Sequence, residues 1–336
     1  MKAWSKRRRL EAAIAGRDVD RPPVALWRHW PGDDQDAEAL ALAHLQWQSD
    51  YDWDFVKVSP ASSFCLRDWG VEDRWQGSLE GTRDYTCRVI NRPEDWERLP
   101  VLDPGRGALA VQLDALTRIG RVLGRPEDGG APFLATLFSP LAQAKNLAGG
   151  EMLLAHLRGR PEAFGRGLET ITQSTVAYLQ AAAEAGASGV FYAVQHARAS
   201  ALSPAEYEQV GRPYDQAILE AAGDMWLNVL HVHGRDAYLE PFADYAVQLL
   251  NWHDRDSGHS LAQALELFGG AVSGGVSRWT LYQESPAAAL AEARQALAET
   301  GGRRFVLGVG CVAMTNTPLR NIRALRACVE GEGPPA

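Results

Sequence analysis

The sequence predicts an α/β fold of the (β/α)8 TIM barrel class, and three observations support this prediction. Eight short apolar runs of five to seven residues recur along the 336-residue chain, and most lack the apolar/polar alternation of half-exposed strands. Such runs are typical of strands buried on both faces, as in parallel sheets. Amphipathic helical stretches separate most of them. No G-x-G-x-x-G follows the first run, which disfavours an open doubly wound sheet.

The predicted elements alternate along the whole chain. The predicted strands are PVALW (23–27), DFVKV (54–58), FLATL (133–137), GVFYAV (189–194), MWLNVL (225–230), AVQLLN (246–251), GAVSGG (270–275) and RFVLGVG (304–310). The clearest helical patterns cover residues 37–48, 165–187, 204–223, 261–269 and 286–302. Ser285-Pro286 and Gly301-Gly302 bracket the last helix, as start and stop signals do.

The segment between the second and third predicted strands, residues 60–132, is too long for one crossover. It contains a predicted hairpin at 69–90, a linker rich in Pro, Asp and Gly, and a predicted helix near 108–124. We interpret 60–132 as an insertion over the barrel mouth, within a single domain that spans residues 1–330.

Composition excludes several classes of partner. The formal net charge of −8 disfavours a nucleic-acid ligand, because phosphate binding needs a basic face. No run approaches the roughly 18 apolar residues of a membrane span, and no signal peptide is apparent. The four cysteines have no tight spacing, so we expect a reduced, cytoplasmic protein. We also expect it to act on a small molecule.

Polar residues follow many of the predicted strands, where the active site of a parallel barrel lies. Five of the eight histidines occupy such positions. The polar residues in question are Arg28, His29, Lys57, Ser139, Gln195, His196, His231, His233, His253, Asp254, Arg278 and Cys311. Asp254 would either orient an imidazole or cap a loop.

Three of these residues, at the ends of two predicted strands, indicate a metal site. His231 and His233 follow one predicted strand, and side chains at i and i+2 of a strand project to the same side. Cys311 follows another strand in a glycine-rich segment. Two imidazoles and a thiolate at one rim suit a catalytic zinc with one open position. A copper site including Met314 is the less favoured alternative.

Five segments make the chain resemble the uroporphyrinogen decarboxylase superfamily. The segments are DVDRPPVALWR (18–28), FSPLAQAKNLAGG (138–150), AAAEAGASGVFYAVQHARASALSPAEYEQVGRPY (181–214), LNVLHVHG (227–234) and FVLGVGCVAMTNTPLRNIRAL (305–325). The resemblance implies a (β/α)8 barrel and one of two chemistries. The decarboxylases hold propionate carboxylates with arginines and the pyrrole nitrogens with an Asp, and they have a Tyr and a His in the cleft. A second branch activates a thiol on zinc for corrinoid-linked methyl transfer.

The chain departs from the decarboxylase branch at several positions. The N-terminal motif of that branch has two arginines, and here Arg28-His29-Trp30-Pro31-Gly32 keeps only the first. Lys57 stands where the branch has Asp, Asn146 where it has Tyr, and Cys311 where it has His. A protonated lysine cannot accept pyrrole N–H hydrogen bonds. These differences disfavour uroporphyrinogen decarboxylation.

The resemblance to the zinc branch is closer. His231-Val232-His233 stands where that branch has His-x-Cys, and Cys311 matches its second cysteine. We therefore predict a zinc-dependent methyltransferase in which His231, His233 and Cys311 bind Zn²⁺. The methyl group would pass to or from a corrinoid on a partner protein.

Four further residues are predicted to be catalytic. Arg28 would clamp an anionic part of the substrate, and Lys57 would do the same or donate a proton. Gln195 and His253 are the other two, and a homodimer is a further expectation. Two alternatives remain: a metal-free decarboxylase of uroporphyrinogen or a related carboxylate, and a non-catalytic module that binds a corrinoid partner.

Overall fold

The structure is a computed structural model that describes residues 4–330. Its helices and strands, in chain order, are α1 (Lys6–Ile14), α2 (Ala37–Tyr51), β1 (Val56–Lys57), β2 (Glu72–Arg74), β3 (Asp84–Cys87), α3 (Gly107–Leu123), β4 (Phe133–Phe138), α4 (Pro140–Ala148), α5 (Gly150–Gly159), α6 (Pro161–Glu184), β5 (Gly189–Val194), α7 (Pro204–Val210), α8 (Arg212–Ala221), β6 (Val229–Val232), β7 (Leu249–Trp252), α9 (Leu261–Leu267), β8 (Ala271–Val276), α10 (Arg278–Gln283), α11 (Pro286–Thr300), β9 (Phe305–Val309) and α12 (Leu319–Ala327).

Seven of the strands form one parallel sheet, in the order β1-β4-β5-β6-β7-β8-β9. Every residue of β5 through β9 is buried, as the continuous apolar runs predict. Helices follow most of these strands, so the α/β, TIM-barrel-like class predicted from the sequence is confirmed.

Alternate strand residues enter two separate apolar clusters. On β5, Phe191 and Ala193 belong to the cluster that includes Trp27 and Leu249, whereas Val190 and Tyr192 belong to the larger cluster that includes residues of the helices. Because strand side chains alternate between faces, the first cluster is the inner layer of the sheet and the second joins the sheet to the helices.

The prediction that PVALW (23–27) forms the first strand of the sheet is wrong. Val24 forms only an isolated parallel bridge to Leu307. Pro23 has no N–H to donate, and the N–H of Val24 goes to the side chain of Asp54 at 2.7 Å. This segment nevertheless contacts β9 and the residues just before β1, because Leu307 N donates to Pro23 O and Asp54 N donates to Val24 O.

Two predicted boundaries also shift. Strand β6 begins at Val229 and extends to Val232, so His231 lies inside the strand and does not follow it. The predicted helix at 204–223 is two helices that meet at Gly211. A Cβ at Gly211 would lie 2.5 Å from the Tyr207 ring, and Pro213 in the next turn cannot donate to a preceding carbonyl.

Residues 60–132 include the predicted hairpin and the predicted helix. Strands β2 and β3 pair antiparallel, and α3 closely matches the helix predicted near 108–124. The hairpin's connection lies against the segments that follow β8 and β9. Leu79 O accepts a hydrogen bond from Thr315 N at 2.8 Å, and Glu80 pairs with Arg278 at 2.9 Å. These contacts bring part of 60–132 to the carboxyl end of the sheet.

Among residues 4–330, none of the helices combines the length and the apolar character needed to cross a bilayer.

One buried carboxyl group joins several elements on the outer side of the sheet. Asp215 on α8 is 1% exposed, and the hydroxyls of Tyr192, Tyr207 and Tyr245 all donate to it. Burial raises the pKa of Asp215 to about 7, against the opposing effect of the three hydroxyls. The folded protein therefore holds a proton here that the unfolded chain releases near pH 4.

We expect this group to make the protein less stable as the pH rises. Its contribution to stability is complete below about pH 4 and is lost as the pH increases through about 7. The loss between pH 5 and pH 8 would be roughly 3 kcal/mol. Urea unfolding of the wild type, Asp215→Asn and the exposed control Asp224→Asn at both pH values measures it. Equal pH dependence in the wild type and Asp215→Asn would contradict the assignment.

Candidate metal centre

Four side chains that can bind a metal ion lie together at the carboxyl end of the sheet. They are His231, His233, His253 and Cys311, and their ligand atoms all lie within 4.8 Å of one another. His231 lies in β6, His233 directly follows β6, His253 directly follows β7, and Cys311 follows β9. The structure brings the three predicted ligands together and adds His253, which the sequence analysis placed among the catalytic residues.

Two of the distances between ligand atoms are close to those of a tetrahedral ion. His253 Nε2 lies 3.1 Å from His233 Nδ1, and Cys311 Sγ lies 3.7 Å from the same nitrogen. Zinc bonds of about 2.0–2.1 Å to nitrogen and about 2.3 Å to sulfur separate tetrahedral N,N and N,S ligand pairs by about 3.4 and 3.6 Å. The donor set therefore fits zinc in its chemistry, and the two distances at His233 are close to those of a tetrahedral site.

Asn251 determines the tautomer of His231. The Asn251 amide nitrogen donates to Ser273 O at 2.9 Å and to Val309 O at 3.0 Å, which fixes the orientation of the amide. Its Oδ1 therefore faces His231 Nδ1, at 2.7 Å, and can only accept. His231 Nδ1 must carry the hydrogen, and the lone pair of Nε2 is left for a metal.

Burial keeps the imidazoles of the cluster neutral. It lowers the pKa of His233 to about 3 and that of His253 to about 4, and it lowers the pKa of His231 well below its usual value. Burial also raises the pKa of the Cys311 thiol to about 11. Neutral imidazole is the metal-binding form, and a bound cation would convert the thiol to a thiolate.

A cavity of about 80 Å³ opens beside the cluster. Its lining combines an apolar wall with polar groups from several strand ends. The lining residues are Trp27, His29, Lys57, Ser62, Glu80, Thr82, Thr136, Phe138, Phe191, Ala193, Gln195, His231, His233, Cys311 and Val312. The predicted site residues Lys57 and Gln195 both lie here.

Lys57 places a buried amine in this cavity. Its Nζ donates to Ser59 Oγ at 3.1 Å and lies 4.8 Å from the centre of the Phe191 ring. Among residues 4–330, no carboxylate lies within 4.0 Å of it. Burial therefore lowers the pKa of Lys57 to about 7, and a neutral amine is available near neutral pH.

The hairpin connection contributes residues that the sequence analysis missed. Glu80 and Thr82 line the cavity, and a Cβ at Gly81 would lie 2.5 Å from His29 Cβ. The backbone at Gly81 has a φ of +77°, which favours glycine. No local pattern predicts these contacts. Asn251 is different, because it is the last residue of a predicted strand, and its position at a strand end could have identified it as a site residue.

Several predicted residues lie outside the cavity lining. Arg28 is packed over Trp30, 4.0 Å from the ring centre, and donates to Thr315 O. Ser139 caps helix α4. Asp254 accepts from Gly275 N at 2.9 Å, which matches the loop-capping alternative.

Two further candidates lie next to the cluster. Asp256, not Asp254, is the carboxylate beside His253 Nδ1, at 3.7 Å. His196 is buried, and after burial itself the nearby cations Lys145 and Arg198 lower the pKa of its imidazole.

Comparisons with known proteins give a family and a fold. A model of the family described as uroporphyrinogen decarboxylase (URO-D) matches residues 5–331. The uroporphyrinogen decarboxylase of Syntrophotalea carbinolica is 30% identical over 252 residues, which cover 71% of this chain and 70% of that protein. The methylcobamide:CoM methyltransferase MtaA of Methanosarcina barkeri is 24% identical over 348 residues, which cover 97% and 98% of the two chains.

A solved structure confirms the fold. The methyltransferase from Methanosarcina mazei superposes with a TM-score of 0.85 at 22% sequence identity, and the match covers 98% of this chain and 99% of that one. The relatives thus include proteins named for both decarboxylation and methyl transfer.

The hydrogen bond between Asn251 and His231 is testable without a metal. We expect the chelator-treated protein to contain His231 as the Nδ1–H tautomer, because Asn251 Oδ1 can only accept. Long-range ¹H–¹⁵N correlation spectra distinguish the two tautomers, with assignment by comparison with His231→Gln. Asn251→Leu should shift the His231 signals, and the exposed substitution Asn91→Leu should not. An Nε2–H tautomer in the wild type would refute the assignment.

Proposed function

This chain belongs to the uroporphyrinogen decarboxylase family, and we propose that within it the chain is a zinc-dependent methyltransferase. It would activate a thiol, or a similar acceptor, for methyl transfer to or from a corrinoid on a partner protein. The observation that carries this proposal is the cluster of His231, His233, His253 and Cys311. The relatives named methylcobamide:CoM methyltransferase, which match 97% of the chain, support the corrinoid.

His231, His233 and Cys311 would hold the ion through Nε2, Nδ1 and Sγ. Zinc bound there supplies Lewis acidity, which lowers the pKa of a thiol and orients it. A catalytic site needs a fourth position that the substrate can enter. We propose that His253 would occupy this position until the substrate replaces it. His253 lies outside β7 in a loop, and Asp256 is close enough to its Nδ1 to orient the ring once the substrate has replaced it.

Lys57 would hold the proton that the thiol loses. As the thiol S–H bond breaks, an N–H bond forms on the neutral amine, and the cavity carries the resulting ammonium. The other titratable groups of the cavity are less suited, because burial lowers the pKa of His29 to about 3 and Glu80 is paired with Arg278. The alternative role of Lys57, an anion clamp, needs the charged form.

The remaining predicted residues would bind the substrate or position other groups. Gln195 lines the cavity and would donate a hydrogen bond to the substrate. Arg28 would act indirectly by holding the backbone of Thr315, because its guanidinium donates there. We further propose that residues 23–27 close the gap between β1 and β9 without forming a full strand, and that 60–132 is an insertion over the mouth of the barrel.

A metal-free decarboxylase is the second candidate function. The decarboxylase of Syntrophotalea carbinolica, at 30% identity, favours it. The segment Arg28-His29-Trp30-Pro31-Gly32 disfavours it, because it supplies only one arginine for the carboxylates of a tetrapyrrole. A third candidate, a non-catalytic module that docks a corrinoid protein, needs neither the metal nor Lys57.

The metal proposal predicts about one zinc per purified chain. His231→Ala, His233→Ala and Cys311→Ala should each lower the zinc content strongly, since each removes one bond from the site. His253→Ala should retain zinc with weaker affinity. Elemental mass spectrometry on protein prepared without chelator measures the content, with the exposed Cys87→Ala as control. A wild type without zinc even after zinc is supplied would overturn the proposal.

The role of Lys57 predicts a pH profile. With methylcobalamin and a simple thiol, kcat/KM of the wild type should rise as the pH increases through about 7, where the amine loses its proton. Lys57→Met should lower kcat/KM about 100-fold near pH 7, with a smaller deficit at a pH where the thiol ionises by itself. Rescue by Lys57→Arg would instead identify an anion clamp, because arginine stays charged. Turnover of uroporphyrinogen by the wild type would favour the decarboxylase.

A further inference from the structure

We propose that the mouth of the barrel contains a second binding site, for a phosphate group, formed by Arg88, Lys145 and Arg198 above the buried His196. This site lies beside the candidate metal centre and uses none of its four ligands. This proposal goes beyond methyl transfer, because the site would recognise the negative charge of a ligand and not the atom that reacts.

The three cations come from three separate segments that meet at the carboxyl end of the sheet. Arg88 directly follows β3, Lys145 lies on α4 after β4, and Arg198 follows β5. The backbone of Arg198 is fixed by an antiparallel bridge to Ala237. A Cβ at Gly234 would lie 3.2 Å from Arg198 Cδ, so this side chain packs against the residue that follows His233.

The charges act on one another and on the imidazole of His196. After burial, which has the largest effect, Arg88 and Arg198 both lower the pKa of Lys145. After burial, Lys145 and Arg198 also lower the pKa of His196. The three like charges therefore lie within electrostatic range of one another, which is unfavourable unless an anion lies between them.

The polar atoms that would contact such an anion lack partners in the described part of the chain. Lys145 Nζ and the Arg198 guanidinium donate to no acceptor among residues 4–330, and neither pairs with a carboxylate within 4.0 Å. Arg198 Nε and His196 Nδ1 are buried without a hydrogen-bond partner, and His196 is only 5% exposed. Buried donors left unpaired are costly, and a bound oxyanion would satisfy them.

Arg88 is positioned by the neighbouring helix. Its Nη1 donates to Lys145 O at 3.3 Å and also to Asn146 O, close to the end of α4. The side chain of Arg88 also lies over Tyr85, 5.0 Å from the ring centre. These contacts hold the guanidinium next to Lys145, and its other N–H groups remain for a ligand.

The charge count selects the class of anion. Asp236 is the carboxylate that interacts electrostatically with Arg198, and it already accepts a hydrogen bond from Ser200 N at 2.6 Å. Three cations and one carboxylate leave two positive charges, which match a phosphate dianion better than a single carboxylate. Guanidinium groups also bind phosphate oxygens in pairs.

Calorimetric titration with inorganic phosphate at low ionic strength tests this site. We expect saturable binding to the wild type, weakened at least about tenfold in Arg198→Gln and in Lys145→Gln, because each loses a charge-assisted hydrogen bond. Arg121→Gln, which removes an exposed arginine near the opposite end of β4, should bind phosphate like the wild type. Circular dichroism and thermal unfolding verify that each variant is folded.

Further titrations identify the source of the phosphate. Tighter binding of phenyl phosphate than of inorganic phosphate would indicate a phosphate ester that reaches into the cavity, and equal affinities would indicate the free ion. Cys311→Ala should keep the phosphate affinity, so loss of the metal does not affect this result. No saturable binding, unchanged affinity in the double variant Lys145→Gln/Arg198→Gln, or tighter binding of malonate than of phosphate would each overturn the proposal.

Discussion

The hydrogen bonds of Asn251 connect four strands inside the sheet. Its amide donates to backbone carbonyls of β8 and β9 and accepts from His231 on β6, while its own backbone pairs within β7. The positions of the candidate ligands depend on this arrangement, since His231 lies in β6, His253 directly follows β7 and Cys311 follows β9. A polar side chain buried at 0% exposure is tolerated because all three of its hydrogen bonds are made to fixed groups.

The electrostatics of the mouth contrast with those of the whole chain. The protein carries a formal net charge of −8, yet the cations Lys145 and Arg198 act on the imidazoles of His196 and His233 and form no ion pair among residues 4–330. Burial and these cations both oppose protonation of the histidines, which keeps their lone pairs available. The same positive field would attract an anionic substrate and stabilise a thiolate.

The chain belongs to a family whose relatives are named for two reactions, and the residues around the cavity indicate how one barrel accommodates both. The parallel sheet supplies a common rim, and the side chains at the strand ends decide the chemistry. In this chain the buried Lys57 lies beside the candidate metal ligands in the cavity lining. The His231, His233 and Cys311 positions supply donors that suit a metal better than a tetrapyrrole.

The amino-acid sequence by itself determined the strand and helix order and the convergence of His231, His233 and Cys311. Apolar periodicity and the i, i+2 rule are local properties of the chain, and parallel strands end at one rim. Only the tertiary structure decided that His253 joins the cluster, that Asn251 orients His231, that Glu80 reaches the cavity and that Arg28 packs on Trp30 outside its lining. These contacts join residues far apart in the chain through loops and strand register, and register depends on the packing of the whole barrel rather than on any local pattern.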